Sequence, residues 1–127
     1  MKFEHFGINV PDAAAMAAWY VEHLKMQIVR SIQEPPHMHF LADATGHVTI
    51  EIYTNPIAPI PDYAAQDPLC FHIAFAVDDA AAVRDYLLAN GATLVVNQML
   101  DDGSLLVMLR DPWGVALQLC QRAAPMV

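Results

Sequence analysis

Positive charge is scarce in this chain. Six lysines and arginines stand against fourteen aspartates and glutamates, a formal charge of -8 over 127 residues. A surface so short of cations cannot neutralise rows of phosphates, which argues against nucleic acid and anionic membranes as partners. Cysteine is scarce too. Cys70 and Cys120 are the only two, and both fall inside predicted strands. They suit buried thiols in a reducing compartment better than a disulfide framework. No uninterrupted apolar run approaches the roughly 20 residues of a membrane span. The opening MKFEHFGINV places Glu4 and His5 where a signal peptide would be apolar. No Gly-rich phosphate loop and no basic cluster for an anionic cofactor occurs. These absences lead to the expectation of a soluble, cytoplasmic protein. What is abundant is apolar side chain, 56% of the sequence, which excludes disorder and gives one compact domain over residues 1–127 a real core.

The chain is written twice. FEHFGINVPDAAAMAAWY from Phe3 lies on CFHIAFAVDDAAAVRDYL from Cys70, so that His5 falls on His72, Val10 on Val77 and Asp12 on Asp79. The same offset of 67 places HVTIEIYT from His47 on GVALQLCQ from Gly114, with Val48 on Val115, Ile50 on Leu117, Ile52 on Leu119 and Glu51 on Gln118. One shift that aligns both ends of each half indicates a duplicated module. The first strand is predicted at residues 3–10 and its Ala-rich helix from Asp12 to about Leu24, with MQIVRSIQ, HMHFLAD and HVTIEIYT as three further strands. In the second half LCFHIAFAV is a strand and DDAAAVRDYLLAN a helix closed by Gly91. ATLVVNQ, GSLLVMLR and GVALQLCQ complete it, with turns at DDG and DPWG. Four prolines in TNPIAPIPDYAAQDP forbid a long helix and mark a linker. The predicted organisation is two β-α-β-β-β modules, about 1–54 and 69–122, joined by residues 55–68: an α+β fold.

Strand alternation sorts the side chains. Phe6, Ile8 and Val10 share one face of the first strand, with His5, Gly7 and Asn9 on the other. Val48, Ile50 and Ile52 oppose Thr49, Glu51 and Tyr53. Phe71, Ile73, Phe75 and Val77 oppose Cys70, His72, Ala74 and Ala76, and Val115, Leu117 and Leu119 oppose Ala116, Gln118 and Cys120. The apolar faces are expected to pack on the two helices. That leaves His5, Glu51, His72 and Gln118 together on the other, concave face, each in mid-strand. Two imidazoles, one carboxylate and one amide oxygen make a donor set for a divalent metal, and mixed N/O ligation suits Ni, Zn, Co, Mn or Fe. Asn9, His39, Tyr53 and Trp113 are the candidate substrate-side residues.

EHFGINVPD, VTIEIY, CFHIAFAVDD and DPWGVALQL resemble the vicinal oxygen chelate superfamily, which includes glyoxalase I, extradiol dioxygenases and bleomycin resistance proteins, over nearly the whole chain. The resemblance implies that the paired modules close into an eight-stranded, cup-like mixed sheet with helices outside. It implies metal ligands at His5, Glu51, His72 and Gln118, a small-molecule substrate and a homodimer. The pattern is nearest to glyoxalase I-like enzymes, lyases that act on a small carbonyl compound or its thiol adduct through a metal-stabilised enediolate. It departs at Gln118, where those enzymes carry Glu. An amide accepts no proton at any useful pH, so Glu51 becomes the expected catalytic base. The alternative is a non-catalytic, bleomycin resistance-like protein that sequesters a small molecule.

Overall fold

Each Ala-rich helix is preceded by one strand and followed by three, and this order dictates the path of the backbone. The computed structural model describes residues 1–126, without the side chains of Val48 and Thr49. It divides into two compact units, Met1–Pro61 and a second that starts at Asp62. The first unit holds β1 (Phe6–Asn9), α1 (Ala13–Leu24), β2 (Gln27–Ser31), β3 (His39–Ala42) and β4 (Val48–Tyr53). The second opens with a 3-10 turn at Tyr63–Ala65 and continues through β5 (Ile73–Ala76), α2 (Ala80–Ala89), β6 (Thr93–Met99), β7 (Leu105–Arg110) and β8 (Ala116–Gln121). Both units are β-α-β-β-β modules, as the sequence predicts, each with a four-stranded mixed sheet in the order β1-β4-β3-β2 or β5-β8-β7-β6. The first and last strands of each module run parallel, and the remaining pairings are antiparallel.

The duplication is visible atom by atom. Asp12 caps α1 by accepting from the Ala15 N–H at 2.9 Å, and Asp79 caps α2 by accepting from the Ala82 N–H at 2.9 Å. These caps satisfy N–H groups that a helix start leaves without an intrahelical partner. The first N–H of each helix is met from the end of the last strand: Thr54 Oγ1 accepts from Ala13 at 3.0 Å, and Gln121 Oε1 accepts from Ala80 at 2.9 Å. The Val10 N–H bonds the Tyr53 carbonyl and the Val77 N–H bonds the Cys120 carbonyl. Every one of these pairs keeps the offset of 67. The offset drifts only in the hairpins, where Ile28 and Leu41 pair in one module and Leu94 and Leu109 in the other. Those shifts, of 66 and 68, cancel before the last strand.

The helices pack on the faces that alternation assigns to the core. Val10, Met16, Ala17, Tyr20, Leu41 and Ile52 are fully buried in the first unit; Leu87, Val107, Leu109, Val115 and Leu117 are fully buried in the second. The predicted pairing of Val48 with this face, and of Thr49 with the other, lies outside the described residues. At the end of α2 the cap is Asn90, and Gly91 follows it at φ +98°, which a side chain would resist. The Ala92 N–H then reaches back to the Leu87 carbonyl at 3.0 Å, closing the helix end.

The expectations that His5 and His72 lie mid-strand and that Cys70 is a buried strand residue are corrected. The first strands are shorter than the alternation suggests: β1 begins at Phe6 and β5 at Ile73, so His5 and His72 each precede a strand rather than sit within one. Upstream of β5 the chain is turning. The Cys70 N–H bonds the Asp67 carbonyl and the Leu69 N–H bonds the Asp67 carboxylate, so Cys70 is exposed and not in a strand. The Pro-rich segment carries no long helix, only the 3-10 turn, and is tied down on both sides. Its first part is held to the first unit by the Asn9 amide. Its second part is held by Arg110, whose guanidinium donates to the Tyr63, Gln66 and Gly114 carbonyls at 2.6–2.9 Å.

Removing a helix cap tests this account. Asp12→Ala is expected to lower stability by about 1 kcal/mol, read as a lower urea midpoint with an unchanged slope.

Candidate functional site

In the first unit the parallel ladder sets Gly7 beside Glu51 and Asn9 beside Tyr53, while β3 sets Phe40 opposite Glu51. These residues share the sheet face away from α1. His5, one residue before β1, joins them: its Nε2 lies 3.3 Å from Glu51 Oε2, and the Glu51 side chain is only 17% exposed. The opposite ring nitrogen, Nδ1, contacts the Glu4 carboxylate. Phe40 stands edge-on to the His5 ring, with centroids 5.4 Å apart. A Cβ at position 7 would lie 3.0 Å from Tyr53 and 3.1 Å from Glu51 Oε2. Glycine there is what lets the carboxylate and the phenol ring lie close over the strand.

The second unit repeats the layout with different chemistry. Ala74 takes the place of Gly7 beside Gln118, and Met108 faces Gln118 from β7. His72 is exposed and donates from Nδ1 to the Pro68 carbonyl at 2.9 Å. Gln118 Oε1 accepts from the buried Cys120 thiol at 3.4 Å. Where Glu51 brings a negative charge, Gln118 brings a neutral amide oxygen with a second lone pair still available.

These donors fit a divalent cation by their chemistry. Both imidazoles are engaged through Nδ1, which leaves Nε2 of the neutral ring to bind, the arrangement usual in metal-binding histidines. With bonds of about 2.0–2.2 Å, two neighbouring donors around one ion lie about 3–3.5 Å apart, the spacing of His5 Nε2 and Glu51 Oε2. Among the described residues no group of three His, Cys, Asp or Glu side chains stands together as a ligand set. The local pairing present is His5 with Glu51.

The substrate-side candidates separate. Tyr53 lies on the site face beside Gly7 and Glu51. Asn9 is on that face too, but it is buried and its amide is spent on the linker: Nδ2 donates to the Asn55 and Ala58 carbonyls at 2.9 and 3.1 Å, and Oδ1 accepts from the Asn55 N–H at 2.8 Å. His39 stands in register with Ile52, on the core face, 5% exposed, its Nδ1 donating to the His37 carbonyl. It is therefore removed from the lining. Trp113 sits in the turn between β7 and β8, where its N–H is held by the Asp111 carboxylate. Sequence reading missed Phe40, Glu4 and the Cys120–Gln118 hydrogen bond. The face of Phe40 is set by the pairing of β3 with β4, which puts it opposite Glu51; the other two depend on side-chain rotamers that no periodicity encodes.

Known proteins agree with the architecture. A glyoxalase family protein from Enterococcus faecalis superposes with a TM-score of 0.69 at 24% identity, over 94% of this chain and 96% of that one. A glyoxalase I mutant from Zea mays gives 0.75 at 21% identity, where 97% of this chain covers 45% of the maize protein. TnmS3, an antibiotic binding protein from Streptomyces sp. CB03234, gives 0.71 at 17% identity, over 94% of both chains. At such identities the likeness is one of fold. No curated protein matches the sequence. The family model for the Glyoxalase/Bleomycin resistance protein/Dioxygenase superfamily matches residues 2–119, and the chain belongs to that superfamily.

Proposed function

We propose that this chain is a divalent-metal-dependent enzyme of the glyoxalase I type, acting on a small carbonyl compound or its thiol adduct. His5, Glu51, His72 and Gln118 are the proposed ligands, and the two modules act as one domain in a homodimer. The observation that carries the reading is the 3.3 Å approach of His5 Nε2 to Glu51 Oε2 on the sheet face away from α1. The duplicate positions of His72 and Gln118 support it. The bound ion would supply Lewis acidity, lowering the cost of negative charge on a substrate oxygen.

The residues of the chain divide the remaining work. Glu51 takes the proton from the hydroxyl-bearing carbon beside the carbonyl and returns it to the carbonyl carbon, while the hydroxyl proton passes to the former carbonyl oxygen, so the reaction is a net isomerisation with no oxidant or reductant. Gln118 holds an oxygen donor in place without competing for that proton. Phe40 and Tyr53 flank His5 and Glu51 and limit water at the carboxylate. With two neutral imidazoles and one neutral amide, the ligand set carries a single negative charge, so a divalent ion held there would keep net positive charge and would favour an anionic substrate.

A second reading rests on Gln118. The loss of a carboxylate at the duplicate of Glu51 removes the proton acceptor from the second module, which suits a protein that binds and sequesters a small molecule. The antibiotic binding protein among the structural relatives gives this reading a precedent in the same fold.

Metal loading after chelation, followed by a methylglyoxal–glutathione assay, separates the two. The enzyme reading expects stoichiometric binding of one of Ni, Zn, Co, Mn or Fe and turnover that chelator abolishes. Failure to bind any of these ions sinks it and favours the sequestering protein. Glu51→Gln is expected to cut turnover by about 10²–10⁴-fold, the usual contribution of a general base, while retaining some metal; undiminished turnover would remove Glu51 as the base. Gly7→Ala is expected to displace Tyr53 and Glu51 and to destabilise by about 1 kcal/mol, the low end for overpacking because both neighbours are side-chain ends. The Tyr53 ring resonances and the unfolding midpoint report it.

A further inference from the structure

The edge strands β2 and β6 carry one irregularity at the same place. In β2 the pairing jumps from Ile28 opposite Leu41 to Arg30 opposite Phe40, which leaves Val29 extra. In β6 it jumps from Leu94 opposite Leu109 to Val96 opposite Met108, which leaves Val95 extra. A bulge of this kind re-aims the side chain that follows it. Without it Val29 would stand opposite Phe40, and Arg30 would turn to the side of the sheet that packs on α1. With it, the ladders align Arg30, Phe40, Glu51 and Gly7 in one row across the first sheet, on the face away from α1. The matching row of the second sheet is Val96, Met108, Gln118 and Ala74. The bulge is common to both modules and the charges are not. Arg30 and Glu51 share one row, and both are replaced by neutral residues in the other.

Arg30 is also chemically available. Arg84 is engaged by Asp85 and Asn97, and Arg110 is spent on three carbonyls. Among the described residues no hydrogen bond or ion pair engages the Arg30 guanidinium, which is exposed. Glu51 does not neutralise it: Phe40 stands between the two in the row, and Glu51 is approached by His5 instead. The planar guanidinium fork suits a carboxylate, which it grips through two parallel hydrogen bonds. A chain of charge -8 repels anions at long range, so an anionic ligand needs such a local cation. Edge strands also carry cations to discourage pairing with other chains. That purpose is served on either face of the sheet. Sharing a row with Glu51 is what the bulge adds.

We propose that Arg30 is a specificity-determining residue: it receives a carboxylate at the far end of the substrate, two strand spacings, about 10 Å, from Glu51, with Phe40 under the segment between. The proposal rests on the metal-dependent reading and adds a substrate class to it, a carbonyl acid whose anionic end is remote from the reacting carbons. The test is calorimetric binding to the full chain loaded with Zn or Ni. The probes are benzohydroxamate, whose adjacent oxygens chelate a metal, and its 4-carboxy and 4-carbamoyl derivatives. The 4-carboxy probe is expected to bind about ten-fold more tightly than the neutral 4-carbamoyl probe, a gap of roughly 1.4 kcal/mol, and to lose part of that advantage at high salt. Arg30→Met, at an exposed position that leaves the core untouched, is expected to erase the preference and leave benzohydroxamate unchanged. Arg30→Lys is expected to keep part of it. Equal affinity of the two derivatives for the native chain, or a preference that survives Arg30→Met, overturns the proposal. Self-association of Arg30→Met with the preference intact also overturns it, and leaves Arg30 as a guard of the edge strand. Failure of all three probes to bind the loaded chain, or failure of the chain to load, removes the metal reading and the proposal with it.

Discussion

The parallel ladder between the first and last strands of each module is the constraint on which the site depends. A parallel pair cannot close with a tight turn and needs a crossover. Here that crossover is the helix and the antiparallel hairpin that follows it. The ladder fixes Gly7 against Glu51 and Ala74 against Gln118, so the chemistry of each module is set by which residue the last strand brings beside a small one on the first. Because the side-chain period is two, a slip of one residue in this ladder would carry Glu51 or Gln118 into the helix-packed core. Core residues on both sides of each position, Ile50 and Ile52 or Leu117 and Leu119, hold the register by their burial.

The same constraint explains what was legible beforehand. Alternation and the 67-residue offset located all eight strands, both helices and the face occupied by Glu51 and Gln118. They failed where pairing ends rather than where it runs. His5 and His72 continue the alternation on paper, yet the ladder stops one residue after each. A hydrophobic pattern cannot report that a turn at Asp67 has taken over the backbone. His39 was placed on the wrong face for a related reason. In HMHFLAD, polar and apolar residues do not alternate cleanly, and only the partner strand, with Ile52 opposite, decides the phase.

Asn9 illustrates a different limit. Its face was assigned correctly, but its amide bonds a segment some 46 residues away in sequence, and no local pattern announces such a partner. The two modules have drifted furthest at positions of this kind. Gly7, Asn9, Glu51 and Tyr53 in one module are Ala74, Ala76, Gln118 and Cys120 in the other, while the apolar residues between them change only in size. The core is thus kept in both copies, and the sheet face away from the helix has diverged between them.

The helix starts show the opposite behaviour. Thr54 and Gln121 differ in length, charge distribution and side-chain freedom, yet each delivers one oxygen to the same backbone N–H, at 3.0 and 2.9 Å. What has persisted is the position of an atom, reached by two different residues. The chain consequently carries its own internal standard: any measurement at Ala13 has a matched reading at Ala80, under identical solvent, temperature and handling. A perturbation felt by one amide and not by the other belongs to a single copy, and no second protein is needed for the comparison.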